Sequence, residues 1–173
     1  MQEEIQKLFD KMCDPKESEA YYFADKLGGM ADEVTKDQLI QLVKGDSWEI
    51  AYLACRALSK TPYQEEALEA IFGAIFDKKN KSVQGAFVQI LEEFELSNSF
   101  VDIFRVYLFG NFKASTLAKD YLDEVEFDIT PRTIRKAEKH WNHYIHNPED
   151  EGSLQLKKSE VEPMLKEMKE LFE

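Results

Sequence analysis

The feature that most constrains this chain is a weak internal repeat, in which a short polar turn followed by an amphipathic helix returns four times at a spacing of 31 to 34 residues. The clearest copies run from Gly45 to Leu58 and from Lys79 to Leu91. Aligning them sets Ile50, Ala54 and Leu58 over Val83, Phe87 and Leu91, and a further step of 31 reaches Ala114, Ala118 and Leu122. A unit of this length cannot bury its apolar face alone, so copies are expected to stack as helix pairs. No Asn-Gly or Asp-Gly separates alternating apolar runs, and the fold class expected is all-α.

At 173 residues the chain suits one domain with a substantial core. Its 34 acidic against 22 basic residues give a net charge of −12, which opposes attraction to phosphate backbones and acidic membranes and favours a basic or neutral protein partner. Cys13 and Cys55 each lie in an apolar helical pattern without metal-ligand spacing, and are expected to be reduced core residues. The start, Met-Gln-Glu-Glu-Ile-Gln-Lys, lacks the basic and apolar regions of a signal peptide, and no 18-residue apolar run occurs, so a cytoplasmic, soluble protein is expected.

Ile5, Leu8, Phe9 and Met12 mark an opening helix that Asp14-Pro15 stops. Ala20, Phe23, Ala24 and Leu27 mark a second, which Gly28-Gly29 is expected to end as a left-handed cap. Asp32 to Gly45 follows, with Thr35 as N-cap and Gly45 as C-terminal cap, and its partner runs from Ser47 to Lys60. Thr61-Pro62 and Thr130-Pro131 are helix starts, and 77–81 reads as a solvated turn. Two further helices centre on Phe104 and Ala118. The expected organisation is a repeat domain over 1–146, a linker over 147–156 and a capping or docking helix over 157–173, with Val161, Met164, Leu165, Met168, Leu171 and Phe172 on one face.

The pattern of polar turn, β-branched or small residue, then Ala and Leu at successive steps of four resembles the B helix of HEAT repeats, over residues 14 to 146 and most closely at Asp46 to Leu58. Gln84 and Ala114 or Ser115 stand where that motif often carries Arg, and Phe87 replaces its small Ala. The resemblance implies a HEAT-like α-solenoid (an α-α superhelix) of about four imperfect antiparallel helix pairs with terminal capping helices. It also implies that the B helices line a concave binding face. The repeat then stacks Asp25, Arg56, Gln89 and Asp120 in one register and Tyr21 with Tyr52 in another, with Trp48 as a further anchor at the start of its helix. Tyr and Arg contribute disproportionately to interfaces, so the expected function is a non-enzymatic protein-binding scaffold.

Other constellations carry less. His140, His143 and His146 share one helix, but 140 and 146 are separated by about 240° of rotation, and no metal site is expected. Arg132, Arg135, Lys136 and Lys139, with Trp141, form a secondary basic and aromatic patch. There is no phosphate loop, nucleophile elbow or cysteine–base pair, so neither an enzyme nor a cofactor is expected, and nucleic acid is disfavoured as a partner. Two alternatives stand. Asp46-Ser-Trp48-Glu49 resembles the aromatic-plus-carboxylate turns of HEAT-like DNA-alkylation repair glycosylases, in which reading Trp48 and Trp141 would hold a damaged base. Alternatively the acidic chain is an inhibitor or immunity-type partner of a basic protein; Glu92 to Asp128 holds nine acids against three bases.

Overall fold

The apolar stripes become helices, but the one from Val83 to Phe94 is divided, α-helical over Gln84–Ile90 with 3-10 segments on either side and Phe94 extended. The computed structural model describes residues 1–173, and its regular structure is entirely helical, with no strand. The α-helices are α1 (Gln2–Cys13), α2 (Ala20–Met30), α3 (Glu33–Val43), α4 (Trp48–Ser59), α5 (Gln64–Phe76), α6 (Gln84–Ile90), α7 (Phe100–Phe109), α8 (Phe112–Glu124), α9 (Pro131–His146) and α10 (Glu151–Glu170). Consecutive helices pack as pairs, α1 on α2, α3 on α4, α5 on α6, α7 on α8 and α9 on α10. None is long and apolar enough to cross a membrane.

The chain divides into two compact units, Met1–Glu95 and Leu96–Glu173. Neither Pro nor Gly marks this boundary, and the joining residues Phe94 and Leu96 are buried. In the first unit α4 is central, packing on α2, α3, α5 and α6. The aligned positions Ala54, Phe87 and Ala118 are fully buried in their respective units, as the repeat requires. Cys55 is buried and Cys13 half-buried; both thiols are free, and burial pushes both above the ordinary cysteine range.

Several local expectations shift by a few residues, for physical reasons. Asp32, not Thr35, caps α3, accepting the Thr35 N–H at 2.8 Å, while Thr35 is buried. Thr130-Pro131 starts α9 as expected, with a reciprocal Thr130/Thr133 capping box. Thr61-Pro62 does not start α5 directly. Thr61 turns inward, donating its hydroxyl to the Leu58 carbonyl at 2.8 Å, and the helix begins at Gln64.

Residues Lys78–Val83 form a 3-10 helix instead of a solvated turn. Asn80 is buried and donates to the Ala74 carbonyl at 2.9 Å, and Gln84 donates to the Ile75 carbonyl at 2.8 Å. These two amides bond to carbonyls of the last turn of α5, of which that of Ala74 also accepts the Asp77 N–H at 3.3 Å. At the other end of the chain α10 begins at Glu151, capped by Asp150, so the connection is 147–150 and not 147–156. Val161, Leu165 and Met168 are buried as α10 packs on α9, but Leu171 and Phe172 lie past the helix end and are exposed.

Gly28-Gly29 is not a cap. No glycine has positive φ, and α2 runs through both residues to Met30. Gly28 is instead the point where α2 lies against α4, since a Cβ there would stand 2.0 Å from the Ala57 carbonyl oxygen and 2.9 Å from Lys60 Cβ. A Cβ on Gly29 would meet nothing within 4 Å. These neighbours should therefore respond with opposite signs. Gly28→Ala is expected to lose about 3 kcal/mol, because backbone must move, and Gly29→Ala to gain about 0.5 kcal/mol by restricting the unfolded chain; urea denaturation of both variants checks the contrast.

Candidate functional site

The repeat spacing of 31 residues brings four of the expected binding residues together on the outer surface of α2 and α4. Tyr21 and Asp25 are one turn apart on α2, and Tyr52 and Arg56 are one turn apart on α4. Arg56 donates from Nε and Nη2 to the two oxygens of Asp25, each at 2.8 Å. The same guanidinium lies over the Tyr21 ring, 4.8 Å from its centroid, and the Tyr21 and Tyr52 rings are 6.1 Å apart and tilted by 45°. Asp25, foremost, holds Arg56 more firmly protonated, and burial beside Tyr21 pushes the Tyr52 phenol above its ordinary range.

The cluster is ordered yet accessible. Tyr21 is 53 % exposed, its neighbour Tyr22 59 % and Trp48 39 %. Trp48 is the first residue of α4, after the Ser47 cap, and precedes Tyr52 and Arg56 at steps of four on one helical face. Gln89 is exposed on α6, which packs on α4. Asp120 is exposed on α8, in the second unit.

The secondary patch is smaller than expected. Arg132, Arg135, Lys136 and Lys139 are exposed on α9, but Trp141 is buried, with its ring stacked on Tyr144 at 5.7 Å. The tryptophan belongs to the α9 core and presents no free face. The three histidines have separate surroundings. His146 Nδ1 is 2.6 Å from the Asn142 carbonyl oxygen, the His143 ring lies 5.8 Å from that of Phe109, and His140 is half-buried.

Periodicity gave no signal for Lys36, on α3, whose side chain is 4 % exposed. Its ammonium is hydrogen-bonded to Glu66, 3.0 Å from Asp37 and 5.2 Å from the centroid of the Tyr63 ring. Glu66, foremost, and Asp37 hold it protonated well above the ordinary lysine range. A lysine flanked by polar residues in sequence reads as surface, and only the packing of α3 on α5 shows it to be a buried clamp.

Compared with protein-family models, curated proteins and solved structures, the chain matches none. The geometry is therefore read on its own chemistry. It offers two phenol rings, an indole and a planar ion pair on one surface, with no nucleophile–base arrangement among them.

Two measurements follow from this geometry. In a double-mutant cycle, Asp25→Ala and Arg56→Ala are expected to show a stability coupling of about 1 kcal/mol that shrinks as salt rises, since both side chains are 34 % exposed. Burial, with Arg105 and Lys139, lowers the His140 pKa. The unfolded chain therefore takes up that proton first as pH falls, so the contribution of neutral His140 is present above about pH 6.5 and is lost below it. His140→Gln should flatten that part of the stability–pH curve.

Proposed function

We propose that the protein is a non-enzymatic binding module of HEAT-like type whose α2/α4 surface recognises another protein. The observation that carries this reading is the cluster of Tyr21, Tyr52 and Trp48 around the Asp25–Arg56 pair. Aromatic side chains contribute large contact areas at low entropic cost, and the ion pair holds its guanidinium flat before any partner arrives. Each charge is already answered by the other, so a partner would meet ordered apolar and hydrogen-bonding surface instead of a free cation. The solenoid arrangement is part of the proposal; it is supported by the packing of α2 on α4 and α4 on α6 at the repeat spacing, with α3 on α5 alongside.

Charge narrows the partner class. Met1–Glu95 holds 19 acidic against 11 basic residues, so the unit bearing the cluster carries most of the net negative charge. This favours a basic protein and keeps the inhibitor-type reading as a special case of the same binding class. Of the two rings named in the glycosylase reading, Trp141 is buried and Trp48 is exposed.

The test is capture of partners from native lysate on the intact chain, followed by affinity measurement with the purified partner. Tyr21→Ala combined with Trp48→Ala, both at exposed positions, is expected to weaken binding by roughly 30-fold or more, the effect of removing interface anchors. Unchanged affinity would overturn the assignment of this surface. Salt-dependent binding to duplex DNA with no protein partner would overturn the function.

A further inference from the structure

The second unit holds a lysine in a setting unlike any other in the chain. Lys157, on α10, places its ammonium 5.1 Å from the centroid of the Tyr107 ring of α7 and 5.3 Å from that of Tyr144 of α9. No carboxylate comes within ion-pair distance of it, whereas Lys119 lies 2.7 Å from Asp123 and Lys169 2.8 Å from Glu138. Tyr107 donates its hydroxyl to Glu160, and its backbone carbonyl accepts the Ser115 hydroxyl at 2.6 Å, so this wall is fixed. The Tyr144 hydroxyl is buried without a hydrogen-bond partner.

Lys157 lines an open groove of about 320 Å³. Its rim carries two of the most exposed apolar side chains, Phe112 at 89 % and Leu156 at 60 %. Asp120, Glu149 and Glu160 also line it, and Lys119 is already paired. The acids disfavour a carboxylate or phosphate ligand, and the apolar rim favours an uncharged one. Enclosure by the two rings and helix α10 pushes the Lys157 amine below the ordinary lysine range, although Glu149, Glu160 and Asp150 act in the opposite direction. More of the neutral, nucleophilic amine is then present near pH 7 than on an exposed lysine.

We infer that Lys157 is a nucleophilic amine site that takes uncharged, apolar carbonyl compounds and holds them as an imine in this groove. The ammonium first releases a proton, for which Glu149 is an acceptor in the same groove. The Nζ lone pair then adds to the carbonyl carbon, forming the C–N bond while the C=O π electrons move to oxygen, which is protonated. Nitrogen loses a second proton, and the hydroxyl, protonated in turn, leaves as water while the nitrogen lone pair forms C=N. The product is already the iminium, which closes the balance: one ammonium and one aldehyde give one iminium and one water, with no oxidant or reductant.

The test treats the intact protein with benzaldehyde and sodium cyanoborohydride at pH 7 and maps the N-benzylated lysines by peptide mass spectrometry. Lys157 is expected to label several-fold faster than the exposed Lys78, because its enclosed amine is deprotonated more readily and the apolar rim gathers the aldehyde beside it. The anionic aldehyde glyoxylate should lose that preference. Phe112→Ser, a change at an almost fully exposed position, should slow benzaldehyde labelling of Lys157 and leave Lys78 unchanged. Equal labelling of Lys157 and Lys78 by benzaldehyde, or a preference of Lys157 for glyoxylate over benzaldehyde, would overturn the proposal.

Discussion

The backbone contact between α2 and α4 at Gly28 is the constraint on which the first unit depends. With a hydrogen in place of a side chain, α2 approaches until the Ala57 carbonyl occupies the space a Cβ would take. That approach fixes the rotation and height of one helix on the other. Ala24, Leu27, Cys55 and Leu58 then fall inside, where each large apolar side chain contributes roughly 2 kcal/mol. The same setting puts Asp25 opposite Arg56 and Tyr21 beside Tyr52 on the outside. A register change on either helix would lose both the core and the surface arrangement.

The cations of the chain are compensated in two ways. In the first, ion pairs are satisfied at close range: Arg56 by Asp25, the buried Lys36 by Glu66 and Asp37, and Lys60 by Glu93 at 3.5 Å. Such pairs contribute little energy individually when water reaches them, but they hold side chains in one rotamer and so shape a surface. In the second, Lys157 is answered by two aromatic faces and by more distant acids, a weaker electrostatic compensation for its lost hydration. The first arrangement favours recognition by shape, the second reactivity.

Much of the fold was legible because helical periodicity reports burial directly. The stripes of α4, α6 and α8 were visible as aligned triplets, and their central members are fully buried. The pairing of Asp25 with Arg56 also followed from the repeat, since positions 31 residues apart in stacked copies are neighbours. What failed was the meaning of residues with more than one use. Glycine after an apolar stripe serves equally as a left-handed cap or a close-packing surface, and Gly28 is the latter. Asn80 reads as part of a solvated turn because sequence does not show that its amide reaches back to the Ala74 carbonyl. Lys157 was equally hidden: its two rings come from residues 50 and 13 positions earlier, spacings that do not match the repeat.

The inward-turned amides of Asn80 and Gln84 change what the connection between α5 and α6 is. A surface loop normally tolerates being lengthened, because little beyond closure entropy is at stake. Here the connecting residues complete the hydrogen bonding of the preceding helix, so the segment behaves as a continuation of α5 that has changed direction. Evolution would be able to vary the lysines on its outer side while holding its length.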